Sequence, residues 1–316
     1  MRSIDDNAPT GDGPTPREAV RWSRRRFLTW GLGTMGVIAV GGAGLELVSH
    51  GVLPGKYALD RVDGACSATG PPLRFSTPGT MHHGTFHSRA RNRTVDYTIA
   101  YPPDHRPGSA LPLVVVLHAY GATSTNPLSG LTLGDASALE GLPPMALVAA
   151  DGGNGYWNPH PGDDPMGMVI DELIPMCQSR GLGKAPQRVG TLGISMGGYG
   201  ALLLGEKYPH LFSAVAAISP AIWTTFAQAR SANAGAYASA QDFERNDVVT
   251  HAASLAGMPV RVSSGDDDPF HPGVEALAKA LPPGAAVDFS GGCHTGSFFQ
   301  AQEEPSLSFL GAHLVG

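Results

Sequence analysis

Short apolar segments alternate with helical patterns along most of this sequence, and this alternation restricts the possible folds more than any other feature. Leu113–Leu117 is continuously apolar and β-branched, as expected of a strand buried on both faces. Residues 94–101 alternate apolar and polar side chains, which is typical of a half-exposed strand near a sheet edge. Further strand candidates lie at 145–150, 188–192, 213–218, 260–263 and 285–289, and helical candidates at 131–142, 165–179, 197–208, 272–281 and 295–313. The alternation predicts an α/β fold, a mostly parallel central sheet with helices on both faces.

Catalytic groups of such sheets gather beyond the carboxyl ends of the strands. The candidate at 188–192 is followed by Gly-Ile-Ser-Met-Gly at 193–197 and then by an Ala- and Leu-rich helical pattern. A G-x-S-x-G motif between a strand and a helix predicts that Ser195 is a nucleophile, since its glycines permit a turn too tight for side chains. The N–H of Met196, at the helix start, is an expected donor to a developing oxyanion. The alternative is a structural turn, because the chain has 42 glycines.

Two later strand candidates are followed by residue types that can activate a serine. A serine hydroxyl needs a base to accept its proton, and a carboxylate to hold that base in the right tautomer. Three consecutive aspartates follow the candidate at 260–263, and His294 follows the candidate at 285–289 in a loop of small residues. His294 is therefore the expected general base, against the alternative of an exposed loop histidine.

Only one of the aspartates at 266–268 can face the histidine. Asp268 is the expected acid because its distance from Gly265 leaves room for a turn after the strand, and Pro269 fixes the backbone just beyond it. Asp267 is the alternative. The remaining carboxylates are expected to be solvated turn residues or a helix N-cap.

A tetrahedral intermediate needs a second N–H donor, usually from the loop after an earlier central strand. His118-Ala-Tyr-Gly lies there and resembles a His-Gly-x-Gly loop in which Ala119 replaces a glycine. We assign this donor to the backbone of Tyr120, with Ala119 as the alternative. His118 is expected to hold the loop through hydrogen bonds rather than to take part in catalysis.

These segments together resemble a known family. Residues 193–202 read Gly-Ile-Ser-Met-Gly-Gly-Tyr-Gly-Ala-Leu, an Asp-Gly-Gly turn begins at Asp151 with Trp157 after it, and the loops of Asp268 and His294 follow in that order. The pattern is similar to the putative-esterase family of α/β-hydrolases, which includes S-formylglutathione hydrolases, feruloyl esterases and mycobacterial mycolyltransferases. The resemblance covers about residues 80–316. It implies the α/β-hydrolase fold, Ser195 with Asp268 and His294 as its partners, and acyl-ester chemistry without a metal or other cofactor.

The segment between the strand candidates at 213–218 and 260–263 is where such folds place a cap. It is short and lacks the apolar stripe of a lipase lid, so the acyl pocket should be fairly open. Trp157 and Trp223 are candidates to line that pocket, although an aromatic side chain is more often part of the core.

The N-terminus resembles a twin-arginine export signal. Ser-Arg-Arg-Arg-Phe-Leu at 23–28 leads into nineteen uncharged residues at 27–45, six of them glycine. The alternative is a basic flank on a membrane anchor, since this length just reaches a bilayer's span. We therefore expect a signal or membrane anchor at 1–50, a Gly-, Pro- and Ser-rich linker or strap at 51–80, and a catalytic domain at 81–316. The protein is expected to be secreted or associated with the cell envelope.

Composition and the remaining motifs argue against other partners. The net charge is −6 although six arginines lie in the first 26 residues, so the rest of the chain repels phosphate backbones and nucleic acid is not an expected partner. His83 and His87 would share one face of a strand, but no carboxylate is fixed beside them, so no metal is expected. Cys177 lies on the apolar face of a helix pattern and should be a buried thiol, which leaves Cys66 and Cys293 able to form a disulfide in an oxidising compartment.

The sequence as a whole predicts an exported serine esterase that hydrolyses a small-molecule or lipid ester. The mycolyltransferases typically lack the Gly-Gly pair found here at 197–198, which favours hydrolysis over acyl transfer to an envelope sugar or lipid. A non-catalytic surface protein on a hydrolase fold is the alternative of a different class, because a fold alone does not confer function.

Overall fold

The computed structural model describes Cys66, Gly70 and residues 72–186 and 188–314. The predicted export signal at 1–50 and most of the strap lie outside the described residues. Within the described part of the chain, no helix has both the length and the apolar character needed to cross a membrane.

An eight-stranded sheet forms the centre of the fold, in the order β1-β2-β4-β3-β5-β6-β7-β8. The strands are β1 Met81–Ser88, β2 Arg93–Ala100, β3 Leu113–Leu117, β4 Ala146–Ala150, β5 Val189–Ile194, β6 Ala214–Ile218, β7 Val260–Gly265 and β8 Ala286–Ser290. β1 pairs antiparallel with β2, and β2 pairs antiparallel with β4. All other pairs are parallel. The mostly parallel sheet predicted from the sequence is confirmed, and β3 to β6 end at the same edge.

Helices cover both faces of the sheet. They are α1 Leu133–Ser137, α2 from Pro165–Gly167 through a π-helical stretch Met168–Leu173 to Ile174–Ser179, α3 Met196–Lys207, α4 Phe226–Ala232, α5 Ala240–Arg245, α6 His271–Ala280 and α7 Gly296–Leu314. A 3₁₀ turn, Ala252–Leu255, follows α5. Apolar side chains of α2 and α3 pack on one face, and those of α1 and α7 pack on the other. α4, α5 and the 3₁₀ turn form the short segment between β6 and β7, which we call the cap.

One predicted helix is shorter than expected. The pattern at 131–142 becomes helical only over Leu133–Ser137, where a Thr132 capping box begins the helix. The strap explains the early end, because Ser76 N–H donates to the carbonyl oxygen of Ala138 and Glu140 N–H donates to that of Arg74. These backbone bonds use groups that a longer helix would have needed internally.

Candidate active site

Ser195 lies at the turn between β5 and α3, at the carboxyl edge of the sheet. Its φ of 56° is in the left-handed region, which places strain on a non-glycine residue. A Cβ on Gly193 would collide with the carbonyl of Gly197, and a Cβ on Gly197 would collide with the carbonyl of Leu117. Both glycines are therefore required by this turn. The first N–H groups of α3, beginning with that of Met196, have no acceptor within the helix and lie beside the serine.

The loops after β7 and β8 bring Asp268 and His294 to the same place. Nε2 of His294 lies 2.8 Å from Oγ of Ser195. Nδ1 of His294 lies 2.8 Å from Oδ2 of Asp268. Asp268 is 4% exposed, and its other carboxylate oxygen accepts from the N–H of Phe270 at 2.8 Å. With a proton on Nδ1, His294 can donate to the carboxylate while Nε2 accepts from the serine hydroxyl. The structure thus joins Ser195, His294 and Asp268 in one hydrogen-bonded line.

Two phenylalanines flank the His294 ring, and the sequence analysis did not identify them. The ring centroid of Phe270 lies 4.9 Å from that of His294, and the centroid of Phe299 lies 4.8 Å from it. Phe270 stands two residues after Asp268, and Phe299 lies on the first turn of α7. Their nearness in sequence to the predicted acid and base was a signal for this role.

Cys293, next to His294, forms a disulfide with Cys66. The side-chain hydroxyls of Thr295 and Ser297 lie 3.5 and 3.4 Å from the carbonyl oxygen of Cys66. The disulfide left open by the sequence is therefore present. Cys177 is a buried free thiol as predicted, and burial raises its pKa to about 12.

The loop after β3 is held by a buried histidine. Nε2 of His118 accepts from the N–H of Gly152 at 2.9 Å, so its proton is on Nδ1, which donates to the carbonyl of Ala119 at 2.8 Å. Burial lowers the pKa of His118, which keeps the ring neutral. The Ala119 carbonyl also accepts from the N–H of Ala122 at 3.1 Å. A trans peptide points its N–H away from its carbonyl, so these bonds fix the direction of the Tyr120 N–H. The Tyr120 side chain is 62% exposed.

The segment after β4 packs against this loop. Asp151 accepts from the N–H of Ser124 at 2.5 Å, and Asn154 Oδ1 accepts from the N–H of Gly121 at 2.8 Å. Trp157 is only 1% exposed, and its Nε1 donates to the His118 carbonyl at 3.4 Å.

The prediction that Trp157 lines an accessible pocket is therefore wrong, because its indole lies beneath the loop. The backbone explains why: Tyr156 and Trp157 have φ values of 60° and 59°, a turn that directs the indole inward. Gly152 and Gly200 leave the space that the ring occupies, since a Cβ at either position would contact it.

Trp223, the other predicted pocket residue, is partly exposed at the start of the cap. Its ring centroid lies 4.7 Å from that of Phe270, and its Nε1 donates to the Tyr156 hydroxyl at 2.6 Å. Burial raises the pKa of Tyr156 above its ordinary value, so its hydroxyl stays protonated. Trp223 therefore lies in the aromatic group that surrounds the His294 ring.

The histidines of β1 interact with side chains of β2. His82 Nε2 lies 3.2 Å from the Tyr97 hydroxyl, and His83 Nδ1 lies 2.9 Å from the Thr98 hydroxyl. These contacts lie on the antiparallel side of the sheet, away from the carboxyl edge where Ser195 stands.

Comparison with known proteins gives a family match and several structural neighbours. A family model described as "Putative esterase" matches residues 88–282. No curated protein sequence matches the chain. A ferulic acid esterase structure is 20% identical, with a TM-score of 0.64, and the alignment covers 76% of this chain and 100% of that one.

Two further neighbours have the same fold. An S-formylglutathione hydrolase from Agrobacterium tumefaciens is 16% identical, with a TM-score of 0.59 and coverage of 78% of this chain and 100% of that one. MPT51 from Mycobacterium tuberculosis is also 16% identical, with a TM-score of 0.53 and the same coverages. At these identities the neighbours show the α/β-hydrolase fold, which confirms the predicted fold class.

Proposed function

Because the chain belongs to the "Putative esterase" family, we propose that it is an exported serine esterase that hydrolyses carboxylic esters through an acyl-enzyme on Ser195. The observation that carries this proposal is the line of two 2.8 Å contacts from Ser195 through His294 to Asp268. A nucleophile, a base and an orienting carboxylate in this order are what acyl transfer from an ester requires.

In the proposed mechanism, Nε2 of His294 accepts the Ser195 proton as Oγ attacks the ester carbonyl carbon. The N–H groups of Met196 and Tyr120 stabilise the resulting oxyanion. The imidazolium then gives its proton to the departing alkoxide, and the alcohol leaves as the acyl-enzyme forms. Water, deprotonated by His294, attacks that acyl group, and collapse of the second intermediate releases the acid and returns the proton to Ser195. Asp268 stabilises the imidazolium in both steps.

The position of the base loop supports a substrate with an accessible ester rather than a deeply enclosed one. Phe270 and Phe299 present ring surface on either side of His294, and Trp223 extends that surface towards the cap. We therefore propose small-molecule or lipid esters as substrates, with aromatic and aliphatic acyl groups packing on these rings.

Export is part of the proposal. The Cys66–Cys293 disulfide supports it, because disulfides persist in oxidising compartments and are rare in the cytosol. The Arg-Arg motif at 24–25 and the uncharged segment after it support the twin-arginine route, with membrane association through 27–45 if the signal is retained.

Covalent labelling tests the nucleophile directly. A fluorophosphonate probe should label the folded protein at one site per chain, Ser195→Ala should abolish both labelling and ester turnover, and Ser297→Ala should retain both. Unlabelled folded protein, or turnover that persists in Ser195→Ala, would leave a non-catalytic role on this fold as the better explanation.

A second assay separates hydrolysis from acyl transfer. Acid and new ester are measured during turnover with an added sugar or long-chain alcohol as acceptor. The proposal expects free acid as the main product at millimolar acceptor. Predominant formation of the new ester would identify an acyltransferase instead.

A further inference from the structure

The direction of the Tyr120 N–H depends on the two peptide units that flank this residue. The unit before it is fixed through the Ala119 carbonyl, which accepts from His118 and Ala122. The unit after it is fixed through the N–H of Gly121, which donates to Oδ1 of Asn154 at 2.8 Å. Because each peptide unit is planar, holding both of them sets the φ and ψ of Tyr120.

Packing does not restrain the second unit. Gly121 has a φ of 77°, a region that glycine enters freely, and no described atom lies within 4 Å of where its Cβ would be. The side chain of Tyr120 is largely exposed and does not anchor the unit in the core. The hydrogen bond from Gly121 to Asn154 therefore selects one orientation of a peptide that is otherwise able to rotate.

Asn154 also contacts the cap. Its backbone carbonyl accepts from Nδ2 of Asn233, at the C-terminal end of α4, at 2.8 Å. Oδ1 of Asn233 accepts from the N–H of Gly235 at 3.0 Å, which fixes the orientation of that amide. A continuous path of hydrogen bonds thus runs from the cap through Asn154 to the loop that carries Tyr120.

We propose that Asn154 is a positioning residue that orients the Tyr120 N–H for the oxyanion by holding Gly121, and that Asn233 links this orientation to the cap. The inference rests on the proposed serine-esterase function. It assigns to Asn154 an effect on the transition state and none on ground-state binding, because the side chain acts through the backbone and does not touch the substrate.

The main test uses Asn154→Ala in the full chain. Loss of one oxyanion donor typically costs about 10²- to 10³-fold in kcat, and misorientation of a donor that remains present should cost less, about tenfold, with KM changed less than twofold. An aryl trifluoromethyl ketone, which adds to the serine and forms an oxyanion, should bind about tenfold more weakly. The parent methyl ketone, which stays trigonal, should bind with unchanged affinity.

Two variants control for structural damage. Asn154→Asp keeps an acceptor oxygen for Gly121 and should restore kcat to within about threefold of the wild type at high salt, where charge effects are screened. Asn126→Ala removes a side chain of the same loop that accepts only from Thr123, at 2.9 Å from its N–H and 2.8 Å from its hydroxyl, so it should leave kcat unchanged. Asn233→Ala should lower kcat about two- to threefold, because it loosens the carbonyl side of Asn154 only.

The outcomes separate this inference from the proposed function. If Ser195→Ala abolishes turnover but Asn154→Ala keeps wild-type kcat, or loses affinity for both ketones equally, the positioning role is wrong and the serine mechanism stands. If Asn126→Ala loses as much kcat as Asn154→Ala, the effect is general to the loop and the role is also wrong. If Ser195→Ala retains turnover, the proposed function fails and this role fails with it.

Discussion

The two sides of Ser195 are held by different kinds of interaction. On the side of the base, His294 is flanked by two aromatic rings, bonded to a buried carboxylate, and adjacent in sequence to a disulfide. On the side of the oxyanion donors, the loop around Tyr120 is held by hydrogen bonds to the segment after β4, and the tyrosine side chain is exposed. The difference indicates that the base is fixed by the fold as a whole, whereas the donor loop depends on a few individual bonds.

Removing the carboxylate should break the base side most severely. Asp268→Asn cannot stabilise the imidazolium and favours the wrong tautomer of His294, so kcat should fall about 10³- to 10⁴-fold at neutral pH. Asp267→Asn is the matched control and should keep kcat within about threefold. Steady-state kinetics on one ester would decide between them, and equal losses in the two variants would contradict the assignment of the acid.

Removing the disulfide tests whether the base side needs its covalent bond. Cys66→Ser with Cys293→Ser opens a link across 227 residues, so the domain should lose about 2–5 kcal/mol of stability. The unfolding midpoint should fall by roughly 5–15 °C. Treatment of the wild type with dithiothreitol should reproduce the shift and should not affect the double variant. An unchanged midpoint would mean that packing alone holds the base loop.

Glu303, on α7, tests the far end of the donor loop, because its Oε1 accepts from the N–H groups of Ser129 and Gly130. It is fully buried, and burial raises its pKa from 4.5 to about 7 although these two N–H groups oppose the rise. Between pH 4.5 and 7 the unfolded chain loses this proton and the folded chain keeps it, so stability should decrease as pH rises.

The size of that decrease should be on the order of 3 kcal/mol, and it should be complete above about pH 7. Glu303→Gln keeps an acceptor oxygen but cannot ionise, so urea unfolding should show it more stable than the wild type at pH 8 and not at pH 4.5. Glu304→Gln, at the partly exposed neighbouring position, should follow the wild type. Parallel curves for wild type and Glu303→Gln would contradict the prediction.

The smallest effect is expected at the aromatic group near the base. Trp223→Ala removes ring surface beside Phe270 but leaves His294 and Asp268 in place, so KM should rise about three- to tenfold with kcat nearly unchanged. Trp223→Phe keeps the ring and loses only the bond to Tyr156, so it should change KM less than twofold. A large fall in kcat would mean that Trp223 supports the base and does not contact the substrate.

The sequence predicted the central strands and long helices well because their signals are local. Val189–Ile194 and Met196–Lys207 follow directly from an apolar run, a Gly-x-Ser-x-Gly turn and an Ala- and Leu-rich pattern. The order of the loops also predicted which side chains would meet at Ser195, since the parallel strands β5, β7 and β8 end at one edge.

What the sequence could not predict depends on the path of the backbone between these elements. Trp157 carries no local mark of burial, because the positive φ values that direct it inward are set by the packing of the loop above it. The early end of α1 depends on residues 74–76, which are distant in sequence. Asn154 looks like an ordinary loop residue until the loop after β3 is placed beside it.

The Cys66–Cys293 bond has a consequence for maturation of the chain. A protease that removes an N-terminal leader can release it only by cutting before residue 66. A cut anywhere between Cys66 and β1 would divide the polypeptide, yet the leading piece would stay attached to the loop that bears His294. Such a product would migrate as two fragments only after reduction.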